Sequence, residues 1–104
     1  MAQVSEELEA QKVIDDIIKR LEEYHINGNW DEFFDNDVLD VLLLVTPDKE
    51  DVLGFSILLE YGGPTVEFLC DRGGGKIIYS YGGVEVKKDV NPDICDDIIN
   101  YLDS

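Results

Sequence analysis

Positive charge is scarce in this chain. Its 104 residues hold 8 Lys and Arg against 24 Asp and Glu, for a formal charge of −16 and a pI near 4.1. Nucleic acids are polyanions, bound by Lys and Arg that displace counterions, so direct nucleic-acid binding is disfavoured. A basic protein partner is expected instead, unless the acidity serves solubility alone. Cysteine is nearly absent too. Cys70 and Cys95 are too few and too widely spaced for a disulfide framework or a zinc site, which leaves the expectation of two buried thiols in a reducing compartment. No apolar run approaches the ~18 residues of a membrane span, and "MAQVSEELEAQ" lacks the basic and apolar regions of a leader. The expectation is a cytoplasmic protein that makes no membrane contact.

Catalytic and metal-binding patterns are missing as well. The chain has one histidine, His25, on the apolar side of a helix near its C-terminus, where a structural role is expected. There is no Ser-His-Asp set, no Cys-His pairing and no cofactor motif, so the chain is expected not to be an enzyme. "DNDVLD" (35–40) begins like a calcium loop but fails it. Position 5 is Leu39, position 6 is Asp40 where glycine is needed, and position 12 is Thr46 where glutamate is needed. Neither a metal nor a cofactor is expected.

What the chain does have is enough apolar surface to fold: 44% of its residues are hydrophobic and ten are aromatic. At this length one domain, 1–104, is expected. Seven of the nine glycines fall within "EYGGPTVEFLCDRGGGKIIYSYGG" (60–83). A phosphate loop would require GxxxxGK[ST] ahead of a helix, yet "GGGK" is followed by Ile77, and the glycines lie between strand-like runs. They read as turns and bulges.

Periodicity orders these runs. Residues 5–26 place Ala10, Val13, Ile14, Ile17, Ile18, Leu21 and Tyr24 on one helical face, with Ser5 as N-cap and Asn27–Gly28 as the stop. "NWDEFFDN" predicts a short helix ending near Asn36, with Asn29 and Glu32 in a capping-box pattern. Strands are predicted over 40–46, 52–61, 65–71 and 76–81, with "VEV" (84–86) read as an extension of the last beyond a bulge. Pro92 opens a last helix, 92–103, whose buried side is Ile94, Ile98, Tyr101 and Leu102. The predicted fold is α+β: a four-stranded antiparallel meander with N-terminal helices and a C-terminal helix packed on one face.

The acids are unevenly placed. Residues 1–60 carry 16 acids and 4 bases, and residues 61–104 carry 8 and 4. Asp31, Glu32, Asp35, Asp37 and Asp40 put five carboxylates into ten residues with no base among them. Carboxylates one helical turn apart lie roughly 5–6 Å from each other at Cβ, a fixed array that can stand in for a row of phosphates. Glu22 and Glu23 on the first helix, and Asp93, Asp96 and Asp97 on the last, extend the candidate partner-binding set. Trp30, Phe33, Tyr79 and Tyr81 would add anchors wherever they escape the core.

One stretch carries a family resemblance. "LDVLLLV…SILLEYGGPTVEFLCD…GKIIYSYGG…VNPDICDDIINYLD" resembles small acidic proteins of bacteriophages and mobile elements. In those proteins a strand ending in GGP leads into an apolar strand, a further hairpin and an acidic helix with a cysteine near its start. The likeness covers about residues 38–103. It implies an anti-CRISPR or other anti-defence inhibitor that mimics DNA and blocks the basic channel of a nuclease effector in the host cytoplasm. No individual residue role carries over from it. An immunity protein or antitoxin facing a basic toxin is the alternative. In either case the chain is expected as a monomer or small homo-oligomer.

Overall fold

The computed structural model describes the backbone of residues 2–48, 51–71 and 73–103, and side chains from residue 7 onward. The elements are α1 (Ala2–Asn27), α2 (Trp30–Asn36), β1 (Asp40–Val45), β2 (Val52–Glu60), β3 (Thr65–Asp71), β4 (Gly74–Tyr81), β5 (Val84–Val90) and α3 (Pro92–Asp103). The five strands form one antiparallel sheet in the order β1-β2-β3-β4-β5. The fold is therefore α+β, as predicted, with five strands in place of four.

The extra strand comes from a tight turn where the sequence predicts a bulge. Gly82 and Gly83 have φ of 58° and 85°, and Tyr81 pairs directly with Val84 across them. Two successive positive φ values define the tight hairpin that matches strand twist, and glycine reaches them without strain. The polar run Lys87–Asp89 hides the alternation that makes β5 a strand. Val84 and Val90 are buried and Val86 is half-buried toward the helices. Lys88 shares their alternation, and its amine bonds the Asp15 carboxylate of α1.

Helix caps also differ from expectation. Helix α1 starts at Ala2, so Ser5 lies within it and does not cap it; the Ser5 side chain is outside the described residues. Gly28, at φ 69°, ends the helix as expected. Asn29 stands at the N-cap of α2 but makes no side-chain cap. Its backbone is used instead: the Asn29 N–H donates to the Tyr24 carbonyl and its carbonyl accepts from Phe33 N.

Helices α1 and α3 cover one face of the sheet, α1 over β4 and β5 and α3 over β2 to β4. Between the layers lie Ala10, Ile14 and Leu21 of α1, Phe55 and Ile57 of β2, Val66 and Phe68 of β3, Ile77 and Tyr79 of β4, and Ile94, Ile98 and Ile99 of α3. Each of the larger chains contributes about 1.5–3 kcal/mol by leaving water. Trp30 and Phe33 close one end of this core. No helix among the described residues is long and apolar enough to cross a membrane.

The cysteines overturn the expectation of free thiols. Cys70, near the end of β3, and Cys95, in the first turns of α3, form a disulfide with Cα atoms 5.6 Å apart. Their 25-residue separation in sequence is folded away by β4, β5 and the turn into α3. Beneath the bond lies Gly75, paired with Cys70 across β3 and β4. A Cβ there would stand 2.5 Å from Cys95 Sγ and 2.6 Å from Cys70 Sγ. Gly75 is therefore a strand residue that makes room for the disulfide, not part of a turn. A disulfide also removes the inference from free thiols to a reducing compartment.

Candidate functional site

Helix α2 is only two turns long, and its aromatic side decides where its acids point. Trp30 and Phe33 are buried, and Phe34 stacks on Tyr101 of α3 with ring centroids 5.5 Å apart. Tyr24 of α1 packs against both Trp30 and Phe33. With that side held, Asp31, Glu32 and Asp35 face outward and all three are exposed. Asp40, at the start of β1, is exposed as well. Asp31, Glu32 and Asp35 form a carboxylate ridge on α2, while Asp40 shares the alternation of Leu42 and Leu44 on the other face of the sheet.

Its members are not equivalent. Asp31 accepts a hydrogen bond from the Tyr101 hydroxyl. That bond, followed by slight burial and the nearby charges of Asp31 and Asp35, raises the Tyr101 pKa and keeps the phenol a donor. Asp37 accepts from Tyr24 Oη at 3.3 Å and pairs with Arg20 at 3.7 Å. For Tyr24, burial first and then the Asp37 charge raise the phenol pKa. Glu32, Asp35 and Asp40 have no cationic partner among the described residues, and Asp40 accepts a hydrogen bond from the Val41 amide. Glu32 and Asp35 on the ridge, and Asp40 on β1, are thus uncommitted charges among the described residues.

The other candidate acids divide between surface and interior. Glu22 and Glu23 are exposed on α1, beyond the ridge. Asp93 is exposed at the opposite end of α3 from Tyr101, so it does not join the α2 acids. Asp96 is half-buried, and its Oδ1 has no hydrogen-bond partner among the described residues. Asp97 is a tie between three helices. Its Oδ2 accepts from Trp30 Nε1 at 2.6 Å and from His25 Nδ1 at 3.0 Å. An ionised carboxylate only accepts, so His25 carries hydrogen on Nδ1. Burial pushes the Asp97 pKa up, but the bonds from Trp30 and His25 outweigh it and hold the carboxyl below its ordinary value.

Of the four aromatics considered as anchors, Trp30, Phe33 and Tyr79 lie in the core, while Tyr81 is exposed. The large exposed apolar groups are elsewhere. Leu42 and Leu44 of β1 are 68% and 62% exposed on the open face of the sheet, and Leu43 and Val45 are 44% and 39% exposed on the helix face. Leu39 and Leu53 flank them and are exposed. An open concavity of about 950 Å³ runs from Leu42, Leu43 and Leu44 across Ser56 and Leu69 to Lys76 and Asp89. Periodicity does not mark this patch, because five consecutive apolar residues, Val41 to Val45, show no alternation that would separate a covered face from an exposed one. The signal was in the topology, since the first strand of a meander has to be an edge.

Among the described residues, no group of three or more His, Cys, Asp or Glu side chains is placed to hold a metal ion. No family model, curated protein or solved structure matches the chain.

Proposed function

We propose that this protein is a non-enzymatic, acidic binding module that blocks a basic nucleic-acid-binding channel, as a DNA-mimicking anti-defence inhibitor would. Glu32, Asp35 and Asp40 carry the reading. They are exposed and have no cationic partner among the described residues, while the nearby Arg20 is engaged by Asp37. Glu32 and Asp35 are three residues apart on one helix, about 5–6 Å at Cβ, close enough to engage neighbouring Arg or Lys groups of one channel. Packing of Trp30, Phe33 and Phe34 holds the helix beneath them, so little ordering remains to be done on binding.

Competition for a CRISPR nuclease against its nucleic acid tests the proposal. The chain is expected to displace nucleic acid at low salt and to lose that ability as salt rises. The triple variant Glu32→Lys, Asp35→Lys, Asp40→Lys is expected to weaken displacement by about 10- to 100-fold, since exposed charge pairs contribute up to ~1 kcal/mol each. No displacement at low salt, or a triple variant as effective as the native chain, would sink the idea.

A further inference from the structure

The geometry points to a second interaction surface: β1 pairs with β1 of another copy of this chain, joining two five-stranded sheets across a two-fold axis at Leu43.

Edge strands carry unpaired backbone N–H and C=O groups, and folded proteins protect them with Lys, Pro, bulges or inward-pointing charge. Strand β1 has none of these between Val41 and Val45. The irregularity in its pairing with β2 falls between Leu44 and Val45, where Gly54 and Val52 are the partners. The extra residue is thus Leu53 on β2, and β1 itself keeps a regular outer edge. Both of its faces are apolar and exposed, because α1 and α3 lie over the other strands.

A second copy fits this edge better than a basic partner does. Antiparallel self-pairing centred on Leu43 places Leu42 opposite Leu44, Val41 opposite Val45 and Asp40 opposite Thr46. Apolar groups meet apolar groups, and no carboxylate faces another. The two Asp40 residues are then six positions apart along the seam, about 20 Å at the rise of a strand. That is more than twice the ~8 Å Debye length at physiological ionic strength, so their repulsion is largely screened. The exposed parts of Leu39, Leu42, Leu43, Leu44, Val45 and Leu53 come to on the order of 500 Å² per copy. A dimer covering them removes on the order of 1,000 Å², the lower bound for a specific interface. A basic partner, in contrast, finds no acid at the centre of β1 to meet its cations.

Salt separates the two kinds of association. Two chains of charge −16 repel at low ionic strength, so self-association should tighten with added salt, whereas binding to a basic partner weakens. Sedimentation equilibrium of the intact chain over a concentration series, at low and high salt, is expected to give twice the 11.8 kDa monomer mass, with association about tenfold tighter at high salt. Leu43→Lys and Leu43→Asp are each expected to be monomeric, and their equimolar mixture to form a heterodimer, since residue 43 faces itself at the axis. Circular dichroism checks that both variants fold. On the native chain, hydrogen exchange of amides 41–45 should slow as concentration rises, which needs no substitution. A monomer at every concentration and salt would overturn the proposal. So would a dimer indifferent to both substitutions, or β1 amides protected only when a basic protein is added.

Discussion

At Asp97, midway along α3, a single carboxylate ties the end of α1 and the start of α2 to α3 by accepting from His25 and Trp30. Its carboxyl is held below its ordinary pKa in the fold, so the folded state prefers it ionised. The stabilisation is present above the ordinary carboxylate pKa and is lost as pH falls through the lowered folded value. Asp97→Ala leaves the buried indole N–H of Trp30 without its acceptor and is expected to cost about 1–3 kcal/mol near neutral pH. Urea unfolding of both proteins across the acid range should show the gap shrinking as pH drops; a constant gap would mean that the charge of Asp97 contributes nothing. Gly75 is the second residue with a sharp expectation. Gly75→Ala drives a methyl group against both disulfide sulfurs and should destabilise by about 1–3 kcal/mol, measured by the same unfolding curves. An unchanged midpoint would show that the space beneath the disulfide is not tight.

Among the elements, α3 owes its place to two attachments of different kinds. Its apolar side buries Ile94, Ile98 and Ile99 on the sheet, and its first turns are bonded to β3 through Cys70 and Cys95. Cross-linking a loop of this length contributes about 2–4 kcal/mol, chiefly by restricting the unfolded chain. Reduction of the disulfide should therefore lower the unfolding free energy by that amount while leaving far-UV circular dichroism nearly unchanged. Loss of helical signal on reduction would show that burial alone cannot hold α3. The short helix α2 depends on its surroundings in another way. Without a side-chain cap, it is fixed by Trp30 and Phe33 in the core and by Phe34 stacked on Tyr101. The carboxylate ridge consequently keeps its form only while α1 and α3 are docked beneath it.

Over the whole molecule, like charge opposes the fold in addition to the conformational entropy that every chain loses. Three ion pairs between Lys or Arg and a carboxylate are present among the described residues: Arg20–Asp37, Lys87–Glu85 and Lys88–Asp15. They engage a small part of the 24 acids, so the rest repel one another through solvent. Screening should relieve that repulsion. The thermal midpoint is expected to rise with sodium chloride, by calorimetry at fixed pH. A midpoint that falls with salt would mean that attractive pairs outweigh the net charge.

Local periodicity was enough to place the three helices and four of the strands, because side-chain spacing of 3.6 or 2 residues is written along the chain itself. It also put Asp31, Glu32 and Asp35 on the outer side of α2, since the aromatic positions of that helix leave no other side free. Spacing could not reveal which carboxylates are tied internally. Asp97 meets Trp30 and His25 from 67 and 72 residues away, and only the docking of three helices brings them together. The strand β5 was hidden by Lys87–Asp89, whose place in the sheet depends on the Gly82–Gly83 turn and on Asp15 receiving Lys88. The disulfide and the open edge at β1 likewise belong to tertiary structure. Proximity of Cys70 to Cys95, and exposure of Leu42 to Val45, depend on where two helices stop covering a five-stranded sheet, a boundary set by packing between elements and not by the pattern within any one of them.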